Sequence, residues 1–394
     1  MIAIAAALCL SLGLAATQTV HARSSFYAYT RSEAIGAPGT LIRAEPMSGA
    51  PLSASAFRVL YRSVGLQGEP IAVSGVVVIP AGAAPAGGRP IVAWAHPTSG
   101  IVPRCAPSLA HFVFQSMPGL RELIAQGDIV VATDYPGLGT AGPHPYLVGV
   151  SEGRAVLDSV RAARALLDVD AGGRFAVWGH SQGGQAALFA GMLAASYAPE
   201  LDPVGVAVAA PATDLQALLR EDFETDGGRN VTAMTLWSWS RVFGQSTHGV
   251  IDPRAQPAVD ALADECIESI YDMVRRHYSQ APLAQHFLDV DDITAIEPWR
   301  SLLLRNIPGT LPPSLPVFIA QGDADTLVRP AVTRAYMDRL CEAGSRVRML
   351  VMPGVRHGFA GHDAAGAAVE WISQRFAGHD APDDCAPHRF SNRL

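Results

Sequence analysis

The sequence predicts an α/β fold in which a mostly parallel central sheet carries helices on both faces and a helical segment is inserted late in the chain. Short apolar runs alternate with helix-like runs, as expected for parallel strands joined by crossover helices. Some runs are uniformly apolar, for example residues 129–132, which suits strands buried on both faces. The alternation stops after Ala210 and resumes near Val317.

The individual elements follow from this pattern. Predicted strands cover residues 71–79, 90–95, 129–133, 175–178, 204–209, 317–320 and 347–352. Predicted helices cover residues 153–167, 185–197, 331–343 and 364–376. The intervening stretch shows helical patterns and several tryptophans but no convincing strand, and the Pro-rich residues 307–313 lead back into the sheet. We therefore predict a core, residues 23–210 and 309–394, that is interrupted by a helical cap at 211–308.

Composition excludes some classes of function. With 394 residues, 49% of them hydrophobic, the chain is long enough for a large buried core. Its formal net charge is −7 and its basic residues, all Arg, form no cluster, so a nucleic acid partner is not expected. No metal-binding or cofactor motif occurs, so neither a metal nor a cofactor is expected.

Residues 1–22 predict a secretory signal peptide and therefore an extracellular or periplasmic protein. Residues 1–16 are almost wholly apolar, and Val20-His21-Ala22 resembles a small-residue cleavage site. The alternative is a transmembrane anchor, for which the stretch is short because polar residues begin at Thr17.

Four cysteines follow the predicted signal. An even number in an exported chain predicts two disulfides, for which three connectivities exist. We favour Cys105–Cys266 and Cys341–Cys385. The first pair would tie the insertion to the core, and the second would hold the C-terminal tail.

The candidate nucleophile is Ser181, in Gly179-His180-Ser181-Gln182-Gly183. The motif lies between an apolar strand and an Ala/Leu-rich helix, which is the context of the nucleophile elbow of an α/β-hydrolase. The alternative is an ordinary tight turn with a capping serine. Ser181 would be activated by a His that is oriented by a carboxylate, in the chain order Ser, Asp, His.

The loops after the last two strands supply these partners. Asp325 is the candidate carboxylate, with Asp323 as its rival and a turn residue as the alternative role for Asp323. His357 is the candidate base, with His362 as its rival. His180 precedes the nucleophile and is expected to point away from the hydroxyl, in a packing or orienting role.

Stabilising the oxyanion requires preplaced hydrogen-bond donors. We assign one to the backbone N–H of Gln182 and the other to Thr98, on the loop that follows the strand at 90–95. The alternative for Thr98 is a Gly/Pro turn without a catalytic part.

With these residues in place, the chain resembles the secretory lipase family, which includes the A-type lipase of the yeast Candida antarctica. The resemblance spans roughly residues 55–385. It rests on the triad spacing and on four blocks: AWAHPTSG at 93–100, CAPS at 105–108, DYPGLG at 134–139 and HPYLV at 144–148. The resemblance implies an α/β-hydrolase core, a helical cap over the active site, hydrolysis of acyl esters including triacylglycerols, and the same two disulfides.

The expected activity is hydrolysis of carboxylic esters, foremost acylglycerols, through an acyl-enzyme. The partners expected are a small-molecule or lipid ester and, transiently, a lipid interface touched by the cap; no protein partner is inferred. In a lipase, the Trp-bearing cap between Pro211 and Arg300 is expected to line an acyl tunnel. The alternatives are a short-chain esterase, an acyltransferase or a peptidase on the same triad, and a catalytically silent binding protein.

Overall fold

The computed structural model describes residues 26–166, 169–221 and 223–385, so the predicted signal peptide lies outside the described residues. These residues form a nine-stranded sheet with the order β1-β2-β3-β5-β4-β6-β7-β8-β9. The strands are β1 (Leu41–Met47), β2 (Ala54–Val64), β3 (Pro70–Pro80), β4 (Arg89–Ala95), β5 (Ile129–Thr133), β6 (Ala171–His180), β7 (Asp202–Ala209), β8 (Val317–Gly322) and β9 (Val347–Met352). The first three strands pair antiparallel, as do β3 and β5, and all other neighbours are parallel.

Helices cover both faces of this sheet. They are α1 (Arg31–Ala34), α2 (Leu120–Gln126), α3 (Gly149–Ala165), α4 (Gln182–Tyr197), α5 (Leu215–Glu221), α6 (Asp226–Val242), α7 (Gln256–Ala263), α8 (Ile270–Gln280), α9 (Trp299–Arg305), α10 (Pro330–Glu342) and α11 (Ala360–Phe376). Apolar side chains alternate along the strands, so that α3, α4 and α10 pack on one face and α2 and α11 on the other. Across the described ranges, no helix is both long enough and apolar enough to span a bilayer.

The fold class is the predicted one, and all seven predicted strands are present. The antiparallel strands β1 and β2 were not predicted, because charged residues interrupt their apolar pattern. In β2, Arg58 pairs with Glu45 of β1, and Arg62 donates to the carbonyl oxygens of Glu33 and Ile35. Helices α3 and α11 begin four residues earlier than predicted, because their glycine-containing first turns carry little helical signal in the sequence.

The segment between β7 and β8 is helical and contains α5 to α9. It has an apolar core of its own, in which Trp239 and Trp299 are fully buried, and this core also includes Tyr146. These two tryptophans therefore contribute to packing within the insertion. Trp237 is half-buried, donates to Asp260, and lies under the guanidinium of Arg241.

Two disulfides fasten the periphery of the core, in the pairing that we favoured. Cys105–Cys266 joins the loop after β4 to the insertion just before α8. Cys341–Cys385 joins α10 to the C-terminal tail. The first bond also lies beside the loop that carries Thr98, because the Ile267 N–H donates to the carbonyl oxygen of Ser99 at 2.8 Å.

Candidate active site

Ser181 occupies a one-residue turn between strand and helix. Strand β6 ends at His180 and α4 begins at Gln182, and Ser181 has φ 58° and ψ −119°. A non-glycine residue with positive φ is strained, typically by about 1–3 kcal/mol. The backbone of Ser181 is held by a hydrogen bond from its N–H to Ala209 and by bonds from the Gln185 and Ala212 N–H groups to its carbonyl oxygen. These bonds fix the hydroxyl above the carboxyl ends of the parallel strands.

Two glycines make this turn sterically possible. A Cβ at Gly179 would overlap the carbonyl oxygen of Gly183, and one at Gly183 would overlap the carbonyl oxygen of Ala95. The second contact shows that the start of α4 presses directly against the end of β4. The loop with Thr98 therefore begins beside the nucleophile turn.

The structure brings Ser181, His357 and Asp325 together in one hydrogen-bonded chain. The distance from Ser181 Oγ to His357 Nε2 is 2.8 Å, and that from His357 Nδ1 to Asp325 Oδ2 is also 2.8 Å. A carboxylate only accepts, so His357 carries its proton on Nδ1 and presents a lone pair at Nε2 to the serine hydroxyl. This is the tautomer that a general base for Ser181 needs.

Asp325 is buried and richly hydrogen-bonded. Its Oδ1 accepts from the N–H groups of Leu327 and Val328, both at 2.9 Å, and its Oδ2 accepts from His357. Burial by itself raises the pKa of this carboxyl, but the hydrogen bonds from His357 and these two N–H groups outweigh it and lower the pKa below its usual range. Asp325 therefore stays ionised beside His357.

The rival residues lie elsewhere. Asp323 Oδ1 accepts from the Gly354 N–H at 2.6 Å, which ties the loop after β8 to the loop after β9. His362 is exposed and bonds to its neighbour Asp363. His180 donates from Nε2 to the carbonyl oxygen of His357 at 3.0 Å, and burial together with the charge of His357 lowers its pKa to about 3.

The two oxyanion candidates lie on separate elements. Gln182 is the first residue of α4, and the first four N–H groups of a helix lack partners within it. Thr98 lies on the loop after β4, where its Oγ1 is 3.0 Å from the phenol oxygen of Tyr146. The contact between Gly183 and Ala95 brings together the two elements that carry these residues.

Sequence reasoning missed a buried polar cluster beneath Ser181. The Gln182 side chain bonds to Glu152 at 2.8 Å and to His144 at 3.0 Å, and all three residues are buried. Burial raises the pKa of Glu152 to about 8 and lowers that of His144 to about 3. Glu152 shares a helical face with the apolar Ala155 and Val156, and an acid on such a face is the signal that could have revealed it.

A cavity of about 410 Å³ adjoins the Thr98 loop. Its lining comes from that loop, from the segment around Phe112, and from residues 267–272 at the start of α8. The lining mixes apolar side chains with two carboxyls, Glu268 and Asp272. Within the three described ranges, no group of His, Cys, Asp or Glu residues is arranged to hold a metal ion.

Comparison with known proteins identifies the family of this chain. The sequence profile of the secretory lipase family matches residues 112–384. The chain belongs to the secretory lipase family. A solved structure with the same fold is Candida antarctica lipase A, which is 20% identical and superimposes with a TM-score of 0.74 over 91% of this chain and 87% of that one.

Secretory lipase relatives differ in their stated activity. A secreted triacylglycerol lipase of Malassezia globosa is 25% identical over 96% of this chain and 86% of the relative. A probable inactive lipase of Mycobacterium tuberculosis is 24% identical over 88% of this chain and 80% of the relative. Activity of this chain must therefore be argued from its own residues.

The buried Glu152 predicts a specific pH dependence of stability. The pKa of Glu152 is about 8 in the folded protein, whereas the ordinary value for a Glu is 4.5. Between pH 4.5 and 8 the folded state therefore keeps a proton that the unfolded state releases. The associated stabilisation is complete below about pH 4.5 and is lost as pH rises through about 8, with a magnitude on the order of a few kcal/mol. Glu152→Gln does not titrate, so its melting temperature relative to wild type should climb between pH 5 and 8. A difference independent of pH would contradict the assigned shift.

Proposed function

We propose that this chain is an exported serine carboxylic-ester hydrolase that cleaves acylglycerols through Ser181, His357 and Asp325. The observation that carries the proposal is the hydrogen-bonded chain from Ser181 Oγ through His357 to Asp325, with both links at 2.8 Å. Membership of the secretory lipase family supports an ester hydrolase, and two disulfides suit an exported protein.

The reaction follows from the protonation states. The Ser181 oxygen attacks the ester carbonyl carbon while His357 Nε2 takes the hydroxyl proton. The tetrahedral intermediate collapses, the bond to the leaving alcohol breaks, and His357 gives that oxygen the proton, which leaves an acyl-serine. His357 then takes a proton from water as the water oxygen attacks the acyl carbonyl carbon. The bond from that carbon to Ser181 Oγ breaks, His357 returns the proton to Oγ, and the acid is released. Asp325, held ionised, keeps the imidazole oriented and stabilises its charged form in both halves of the reaction.

We assign the stabilisation of the developing oxyanion to hydrogen bonds from the Gln182 N–H and from Thr98. Loss of one such donor typically lowers kcat by about 10²–10³-fold. The contact between Gly183 and Ala95 supports this pairing, because it places the start of α4 against the strand that leads into the Thr98 loop.

The cavity beside Thr98 is the proposed pocket for one arm of the substrate. Its volume of about 410 Å³ lies within the usual range for small-ligand sites. At its rim Phe112 is exposed, and α8 presents Tyr271, Val274 and Tyr278 in one exposed stripe. This apolar surface of the predicted cap is the proposed contact with a lipid interface.

A short-chain esterase is the second candidate. The observation that favours it is the mixed lining of the cavity, in which Glu268 and Asp272 stand among the apolar side chains. Burial and the neighbouring charges of Asp272 and Asp134 raise the pKa of Glu268. Such a lining suits a short acyl group or a polar alcohol better than a long acyl chain.

Substrate profiling of wild type and Ser181→Ala tests the proposal and separates these candidates. We expect hydrolysis of p-nitrophenyl esters from acetyl to palmitoyl and of emulsified triolein, and a loss of at least about 10³-fold in Ser181→Ala, because the nucleophile is gone. Activity confined to short esters would favour the esterase. Absence of Ser181-dependent turnover on every ester would contradict the proposal and favour a silent binding protein.

The neighbouring acids of the β8 loop provide a matched pair of variants. Asp325→Asn should lower kcat by about 10³–10⁴-fold, because an amide at this position favours the wrong imidazole tautomer. Asp323→Asn should stay within a few-fold of wild type, since its amide oxygen can still accept from the Gly354 N–H. Equal losses in the two variants, measured as kcat per titrated active site, would remove Asp325 from the mechanism.

A further inference from the structure

We propose that Glu152, Tyr146 and the side chain of Gln182 form one positioning network that fixes both oxyanion donors, the Gln182 N–H and Thr98, relative to Ser181. The inference rests on the proposed function and deepens it. None of the three side chains needs to touch substrate. Each acts by holding the backbone or side chain of a donor in place.

One arm of the network holds Gln182. His144 Nδ1 lies 2.8 Å from the carbonyl oxygen of Pro136 and must donate to it, so His144 Nε2 carries a lone pair. The amide nitrogen of Gln182 lies 3.0 Å from this lone pair and 2.8 Å from Glu152 Oε1. The two hydrogens of this nitrogen therefore bond to two acceptors. If the amide group were rotated by half a turn, its oxygen would instead face His144 Nε2 and Glu152 Oε1, which are both acceptors. The amide has one favourable orientation, which fixes the residue that directly follows the nucleophile.

The other arm reaches Thr98 through the strained segment that begins at His144. Glu152 Oε1 also accepts from the Leu147 N–H at 2.9 Å, and Leu147 has φ 56°, a left-handed conformation unusual for leucine. The preceding residue, Tyr146, is buried, and its phenol oxygen lies 3.0 Å from Thr98 Oγ1. The backbone of Tyr146 is fixed in turn by Ser238 and by the Trp239 indole.

A single carboxyl oxygen therefore links the two donors. Glu152 Oε1 bonds directly to the Gln182 side chain and, through Leu147 and Tyr146, is connected to Thr98. The bonds of Glu152 to Gln182 and Leu147 are buried, where hydrogen bonds are strong, and the bond of Tyr146 to Thr98 is partly buried. The shared acceptor thus couples the position of Gln182 to that of the segment that bonds to Thr98.

The test compares network variants with matched controls from outside it. Gln182→Met keeps the backbone N–H but removes both amide hydrogen bonds, and Glu152→Ala removes the shared acceptor. Gln280→Met is the control for the first, because Gln280 is a buried glutamine at the end of α8, outside the network, whose amide oxygen accepts from the Asn230 side chain. Tyr146→Phe is matched by Tyr61→Phe, which removes a buried phenol hydroxyl bonded to Thr133 at 2.7 Å.

The readouts are kcat and KM per titrated active site, thermal stability, and the inhibition constant of an alkyl trifluoromethyl ketone, which forms a tetrahedral oxyanion with Ser181. We expect Gln182→Met and Glu152→Ala to lose about 10–100-fold in kcat and an equal factor in ketone affinity, with little change in KM. Tyr146→Phe should lose about 3–10-fold in both. Glu152→Gln should retain most of the wild-type activity, because the glutamine amide oxygen can replace Glu152 Oε1 as the shared acceptor.

The control variants distinguish a positioning role of the network from a general effect on protein stability. Gln280→Met and Tyr61→Phe should melt at lower temperature yet keep kcat and ketone affinity within about 3-fold. Equal losses in controls and network variants, or full ketone affinity in the folded network variants, would overturn the inference. If the larger changes prevent folding, the Tyr146→Phe and Tyr61→Phe pair decides alone. Turnover that survives Ser181→Ala would overturn the proposed function itself, and this inference with it.

Discussion

The backbone at Ser181 is the constraint on which the rest of the site depends. Its φ of 58° lets β6 end at His180 and α4 begin at Gln182 with one residue between them. That conformation costs about 1–3 kcal/mol and persists because Ala209, Gln185 and Ala212 bond to the serine backbone. Any wider turn would withdraw the hydroxyl from His357 and the N–H of Gln182 from the same space.

Sheet topology supplies the other groups at the same edge. Because β4, β6, β7, β8 and β9 run parallel, the loops that follow β4, β8 and β9 lie at the same carboxyl edge as Ser181. The β8 and β9 loops are tied to one another by Asp323 and Gly354, while the β4 loop is tied to the insertion by Ser99 and Ile267. The catalytic geometry is thus fixed by short contacts between loops that are far apart in sequence.

Sequence predicted what is local and periodic. The strand–Ser–helix pattern at Ser181, the late Asp and His loops, and seven strands all carry signals within a few residues of themselves. Strands β1 and β2, at one end of the sheet, were missed because Arg58 and Arg62 of β2 bond to partners distant in the chain. The cluster of His144, Glu152 and Gln182 was missed for the same reason, since its members lie on separate elements. The choice of Asp325 over Asp323 could be proposed from spacing, but only the structure shows that Asp325 bonds to His357 while Asp323 bonds to Gly354.

The most direct measurement is a crystal structure of the protein with Ser181 esterified by an alkyl phosphonate, whose phosphoryl oxygen stands in for the oxyanion. The account predicts that this oxygen lies about 2.7–3.1 Å from the Gln182 nitrogen and from the nitrogen or hydroxyl of Thr98, with the alkyl chain in the cavity lined by Phe112 and Ile267. A phosphoryl oxygen facing solvent or bonded to another loop would contradict it, as would a phosphonate attached to any residue other than Ser181.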